Sequence, residues 1–183
     1  MKNIILIFGI LFLSLNLSAQ RYTAKNGYVG FFSHTPIEDI KAGNNQVASI
    51  IDASTGDGVF QILIKSFHFD KTLMEEHFNE NYMETELFPR SVFKGKITNI
   101  SEVNFSKAGV YNVAAEGEMM IHGVSKSITT SGTLEIIDDG IIARSKFFIK
   151  PEDYGIKIPG LVRDNIAKEI EVTVNIKYTV LSN

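Results

Sequence analysis

Residues 169–180 read Glu169-Ile170-Glu171-Val172-Thr173-Val174-Asn175-Ile176-Lys177-Tyr178-Thr179-Val180. Every even-numbered position is apolar and every odd-numbered one is polar or charged. That two-residue period belongs to a strand with one dry face and one wet face. At about 3.4 Å per residue such a run extends roughly 40 Å, longer than an ordinary strand and suited to the tilted wall of a barrel.

Working back from this strand, similar alternation recurs. In Gly109–Ile121, Tyr111, Val113, Ala115, Met119 and Ile121 oppose Asn112, Glu116 and Glu118. Ile128, Thr130, Gly132, Leu134 and Ile136 then alternate with polar residues, and Asp138-Asp139-Gly140 supplies a tight turn before a return over Ile141–Ile149. Earlier strands are predicted at Tyr28–Thr35, Gln46–Ala53, Val59–Phe69 and Val92–Ile100, the second and third joined by Thr55-Gly56-Asp57-Gly58. About eight strands at short spacing predict an all-β antiparallel barrel or sandwich rather than a βαβ fold. Two short helices interrupt them. Thr72 and Glu75 have capping-box spacing, and Met74, Phe78 and Tyr82 recur every fourth residue, which predicts a helix over Lys71–Met83 with those three side chains inward. A second helix is predicted over Leu161–Lys168, with Leu161, Val162, Asn165 and Ile166 on one side; both read as lids at a barrel end.

The start of the chain reads as an export signal. Lys2 precedes an apolar run, Ile4–Leu13, and Leu17-Ser18-Ala19 offers small residues for cleavage near Ala19. Residues 1–19 are therefore expected to be a signal peptide and 20–183 a single domain, periplasmic or secreted. Without Lys2 the 18 basic residues fall to 17 against 21 acidic ones, a balance of −4 that argues against a nucleic-acid surface. The chain has no cysteine, so disulfides, thiol nucleophiles and a lipidated cysteine are excluded.

Candidate chemistry is sparse. His77 and Glu80, three apart on the first helix, have metal-ligand spacing, with His68 as a distant third candidate, but a helix-surface hydrogen bond explains the pair more simply. His122 before Gly123 reads as a turn residue holding backbone groups. No Gly-x-Ser-x-Gly elbow or phosphate-cradling glycine loop is present, and Glu75, Glu76 and Glu80 read as partners of the helix dipole rather than paired catalytic carboxylates. No catalytic residue, metal or cofactor is expected.

Several blocks carry a resemblance. Leu73-Met74-Glu75-Glu76-His77-Phe78, followed by Leu87-Phe88-Pro89 and Phe93-Lys94-Gly95, is similar to the central block of the YceI-like family of lipocalin-like, polyisoprenoid-binding proteins. Met120-Ile121-His122-Gly123-Val124-Ser125-Lys126 looks like that family's hairpin, and Phe147–Gly155 resembles its strand ending in Asp153-Tyr154-Gly155. The chain departs from the pattern at Phe88-Pro89, at Tyr82-Met83 and at Lys150-Pro151-Glu152. The resemblance implies an eight-stranded antiparallel lipocalin-like barrel with one or two short helices and a long apolar pocket for an isoprenoid or other long-chain amphiphile.

On that reading the ligand-binding candidates are Phe60, Ile62 and Ile64 from the third strand and Met74, Phe78 and Tyr82 from the helix. Phe88, Phe93, Val113, Met119 and Phe147 follow from the middle of the chain, then Ile158, Val172 and Val174 towards its end. Small inward residues such as Ala115, Gly117 and Gly132 would leave a tunnel beside the aromatics, or the same residues would close a filled core; the sequence leaves both open. In a tunnel, each five-carbon isoprene unit would contribute roughly 3–4 kcal/mol before ordering costs. The expected partner is a lipid or isoprenoid small molecule, with transient membrane contact and a homodimer left open. Two other functions stand beside this one: a small outer-membrane barrel, and a metal-dependent enzyme using His77, Glu80 and His68.

Overall fold

A computed structural model describes residues 20–181; the expected signal peptide, residues 1–19, lies outside them. Nine strands follow in order: β1 (Arg21–His34), β2 (Asp39–Asp52), β3 (Asp57–Leu63), the two-residue β4 (His68–Phe69), β5 (Arg90–Ile97), β6 (Gly109–Ile121), β7 (Val124–Ile137), β8 (Gly140–Ile149) and β9 (Ile170–Val180). Every pairing is antiparallel, the order runs β1-β9-β8-β7-β6-β5-β3-β2, and β1 pairs with β2. The sheet thus closes into an eight-stranded barrel with no free edge, and β4 is a small tab on β2.

β1 and β2 begin seven residues earlier than their alternation suggests, at Arg21 and Asp39 rather than Tyr28 and Gln46. The cause is a change of phase. Tyr22 and Ala24 are buried, two exposed residues follow, and Gly27 and Val29 are buried next, so the inward face passes from even to odd positions. In β2 the same flip lies between Asn44 and Val47. The paired registers shift at these places, which is the signature of β-bulges, and a bulge hides a continuous strand from any test of strict period.

The predicted strand Val59–Phe69 is broken. β3 ends at Leu63, Ile64–Ser66 makes a 3-10 turn, and His68–Phe69 rejoins β2 opposite Gly43 and Ala42. From the Gln61–Ala48 pair to the Phe69–Ala42 pair, this side advances eight residues while β2 advances six, so two residues are extruded. Asn44, fully buried, holds the break: its Nδ2 donates to the Leu63 carbonyl at 2.8 Å and its Oδ1 accepts the Gln46 amide at 2.8 Å.

The helices also differ from expectation. α1 (Thr72–His77) passes into a π turn over Phe78–Tyr82, and its N-cap is Lys71, with no side-chain cap bond. The capping box is half made: Thr72 lies inside the helix, while Glu75 reaches back to accept the Phe69 amide at 3.1 Å. The second predicted helix is a 3-10 segment, Gly160–Asn165. Three residues per turn put Val162 and Asn165 on one face and Leu161 on another, so Leu161 is 97% exposed instead of sharing the inner side.

One barrel end is solid. It carries the β2–β3 turn, the β5–β6 connection and the β7–β8 hairpin, and it is filled by Tyr22, Ile51, Ile97, Ile141, Ile176 and Tyr178. Tyr22 stacks on Phe105 at 5.8 Å between ring centroids, and the buried Tyr178 hydroxyl meets Ser49 Oγ at 2.8 Å. Gly140 opens β8 here because any Cβ would fall 1.9 Å from the Tyr178 carbonyl oxygen. The opposite end carries α1 with its π turn and the 150–169 connection.

Candidate functional site

Strand alternation sends apolar side chains inward from every wall, yet below the helix they do not meet across the barrel, as far down as Ile51, Ile97 and Ile176. A cavity of about 430 Å³ remains, within the range of roughly 300–1,000 Å³ that small-molecule sites occupy. Its shape follows from residue size. On β5 to β8 the inward positions include Gly95, Ala115, Gly132, Ala143 and Ser145, while β1, β3, β4 and the helix bring Phe31, Phe60, Phe69 and Phe78. The small residues leave room beside the large ones, Phe93, Met119 and Phe147 of the same wall included. Inward residues such as Phe60, Phe93, Val113, Met119, Phe147, Val172 and Val174 are only half-buried because their free side faces this space.

The lid has two parts. Phe78 anchors the helical part, its ring centroid 5.5 Å from Phe31, 5.7 Å from Phe67 and 5.0 Å from Phe69. Such aromatic clusters add packing energy beyond area burial, and this one fixes Met74 and Tyr82 over the barrel mouth. The second part is the 150–169 connection, which contributes Ile156, Ile158, Val162 and Ile166. Glu38, in the β1–β2 turn, joins the two: Lys71 Nζ donates to one carboxylate oxygen at 3.2 Å and Asn165 Nδ2 to the other at 3.2 Å. Those hydrogen bonds, from Asn165 first and then Lys71, outweigh slight desolvation and hold the Glu38 carboxyl below its ordinary range. Deeper in, the wall hydroxyls are satisfied among themselves, with Ser145 Oγ donating to the Ser131 carbonyl at 2.7 Å and lying 3.1 Å from Thr130 Oγ1.

Of the residues singled out from sequence, Phe60, Ile62, Ile64, Met74, Phe78, Tyr82, Phe93, Val113, Met119, Phe147, Ile158, Val172 and Val174 all line the cavity. Phe88 does not. It packs outside the barrel mouth on His122, 4.4 Å between ring centroids, and against the position of Gly123. His122 and Gly123 both have positive φ, the requirement of a two-residue I′ hairpin, and His122 bridges Glu84 Oε2 at 2.8 Å and the Tyr154 carbonyl at 3.3 Å. The turn role assigned to His122 is the one it plays. Phe31, Phe67, Phe69 and Glu38 were missed. Phe31 adjoins Phe32, and alternation alone does not say which of the two points inward; Phe67 and Phe69 follow the β3 break, and a glutamate in a turn gives no inward signal.

His68 Nδ1 lies 3.5 Å from Glu75 Oε2, and His77 stands at the lid beside the cavity. Among the described residues, no group of three or more His, Asp or Glu side chains is placed to hold a metal ion. The outer wall is charged: Arg144 pairs with Glu135, Lys146 with Glu171 and Lys177 with Asp139. A lipid-facing barrel would carry its apolar band on that surface.

A closed antiparallel barrel, solid at one end and holding an apolar cavity under a lid at the other, is a lipocalin-like binding barrel. Residues 21–178 match the YceI-like domain, and the chain belongs to that family. It is similar in fold to a polyisoprenoid binding domain from Saccharophagus degradans implicated in plant cell wall breakdown: 15% identity, covering 89% of this chain and 99% of that one, TM-score 0.76. It is similar also to Burkholderia cenocepacia BcnA, at 13% identity over 85% of this chain and 96% of that one, TM-score 0.70. A Campylobacter jejuni YceI protein shares the fold at 15% identity over 82% and 90% of the two chains, TM-score 0.58. No curated protein sequence matches this chain.

Proposed function

We propose that this protein is an exported, non-catalytic carrier that holds an isoprenoid or other long-chain amphiphile inside its barrel. One observation carries the reading: inward apolar side chains from both walls stop short of one another and leave a cavity of about 430 Å³ with an almost wholly apolar lining. Filling it with hydrocarbon stabilises the complex by roughly 0.8 kcal/mol per buried carbon, so a few isoprene units suffice for tight binding. Family membership and the name of the Saccharophagus neighbour support the same class of guest.

Export rests on Lys2, the apolar run Ile4–Leu13 and the small residues ending at Ala19. Transfer at a membrane surface belongs to the same proposal. Ile37, Leu73 and Leu161 are 64, 61 and 97% exposed, and each stands beside a residue that lines the cavity, Glu38, Met74 and Val162. They form an apolar rim to the opening through which a lipid would load.

Organic extraction of protein purified without added lipid, followed by mass spectrometry, tests the carrier reading. A prenyl or long-acyl compound is expected in the extract, together with a mature N-terminus at Gln20. Repeated recovery of lipid-free protein that takes up no added amphiphile would refute it.

A further inference from the structure

We propose that Glu38 selects the head group of the guest, favouring an uncharged hydroxyl-bearing head over a phosphorylated or carboxylate one; the inference rests on the carrier reading above. The lid end is the entrance, because the other end is closed by Tyr22, Ile141 and Tyr178, with Ile97 and Ile176 on the cavity floor. An amphiphile therefore enters tail first, and its polar end stays at the lid. The charged side chain that lines the cavity there is Glu38.

Among the described residues, the Glu38 carboxylate already holds the one cation paired with it. Its partners are Lys71, whose ammonium is shared with it at 3.2 Å, and the uncharged Asn165 at 3.2 Å. Lys96 and Arg144 border the cavity too, but strand alternation turns their side chains to the outer face, where Arg144 pairs with Glu135. His77 and Tyr82 are the other titratable groups at the lid face. An alcohol or phenol fits this setting, since it donates to the free lone pairs of Glu38 and accepts from the Asn165 amide. A diphosphate placed there faces a fixed like charge in a partly desolvated mouth and competes with Glu38 for Lys71. Repulsion from the carboxylate, together with disruption of the Lys71–Glu38 pair, lowers affinity on the order of tenfold.

Competition of geranylgeraniol and geranylgeranyl diphosphate against an apolar fluorophore in the full barrel tests the assignment. The alcohol is expected to bind about tenfold or more tightly than the diphosphate at low salt, with the ratio falling as salt screens the mouth. In Glu38→Gln the ratio falls towards one, in Glu38→Asp it is retained, and in Lys71→Met, where the carboxylate loses its cation, it widens. Using three variants keeps the test decisive if one of them folds poorly. Equal or tighter binding of the diphosphate by the parent protein overturns the assignment alone, as does a ratio indifferent to all three variants. Failure of both compounds to displace the fluorophore overturns the carrier reading, and this inference with it.

Discussion

Replacing Ala115 by Phe puts a benzyl-sized side chain into the space that the small-residue wall leaves. Ala115 lies midway along β6, paired with Ile97 and Thr130, and its side chain borders the cavity. The added ring displaces about one isoprene unit of a guest, five carbons at roughly 0.8 kcal/mol each, so about 4 kcal/mol of binding energy is lost. That loss corresponds to roughly a thousandfold rise in Kd. The apo protein should barely notice, because the ring enters a void instead of a packed interior; the stability change should stay under about 1.5 kcal/mol, whereas overpacking a filled core costs about 1–3 kcal/mol or more. Fluorophore displacement by geranylgeraniol measures the first effect and urea denaturation the second. An unchanged Kd would refute the placement of the guest, and a stability loss beyond about 3 kcal/mol would show that the interior is already full.

Asn44→Ala should destabilise the barrel by roughly 1–3 kcal/mol in chemical denaturation, since it removes the partner of the Leu63 carbonyl and the Gln46 amide at a part-buried strand break. Acid should unfold the protein in a way that depends on Asp52, whose carboxyl is held low chiefly by the Ser54 hydroxyl, and further by the Ser54 amide and Arg21. A folded pKa below the unfolded one gives stability that is complete above about pH 4 and lost as pH falls through the depressed value. Asp52→Asn should therefore flatten the acid limb of stability against pH, and an unaltered limb would contradict this. Leu161→Asp should slow transfer of a fluorescent lipid from vesicles several-fold while leaving the melting temperature within about 1 °C, because this side chain is 97% exposed.

Much of the barrel was legible in sequence where one face stays in phase. β9 keeps strict alternation and β6 a noisier one, and the predicted and observed strands coincide at Gly109–Ile121 and over Ile170–Val180. β1 and β2 were truncated because bulges reverse the parity at Gly27 and between Asn44 and Val47, and β3 was overextended because its two-residue extrusion leaves no local mark. The cavity wall was readable for the same reason as the strands, since inward position follows from period. Phe88 was misplaced because an aromatic in an irregular segment has no period to aim it. Glu38 was invisible because only the closing of the lid by Lys71 and Asn165, residues distant in sequence, turns a solvent-facing residue type towards the mouth.

Native mass spectrometry of the purified protein, without and after incubation with geranylgeraniol, tests the central claim most directly. The account predicts one amphiphile adduct per chain in the parent protein and its loss in Ala115→Phe. A spectrum showing only the bare chain under both conditions, or several weak adducts that Ala115→Phe leaves unchanged, would contradict a single apolar cavity as the seat of function.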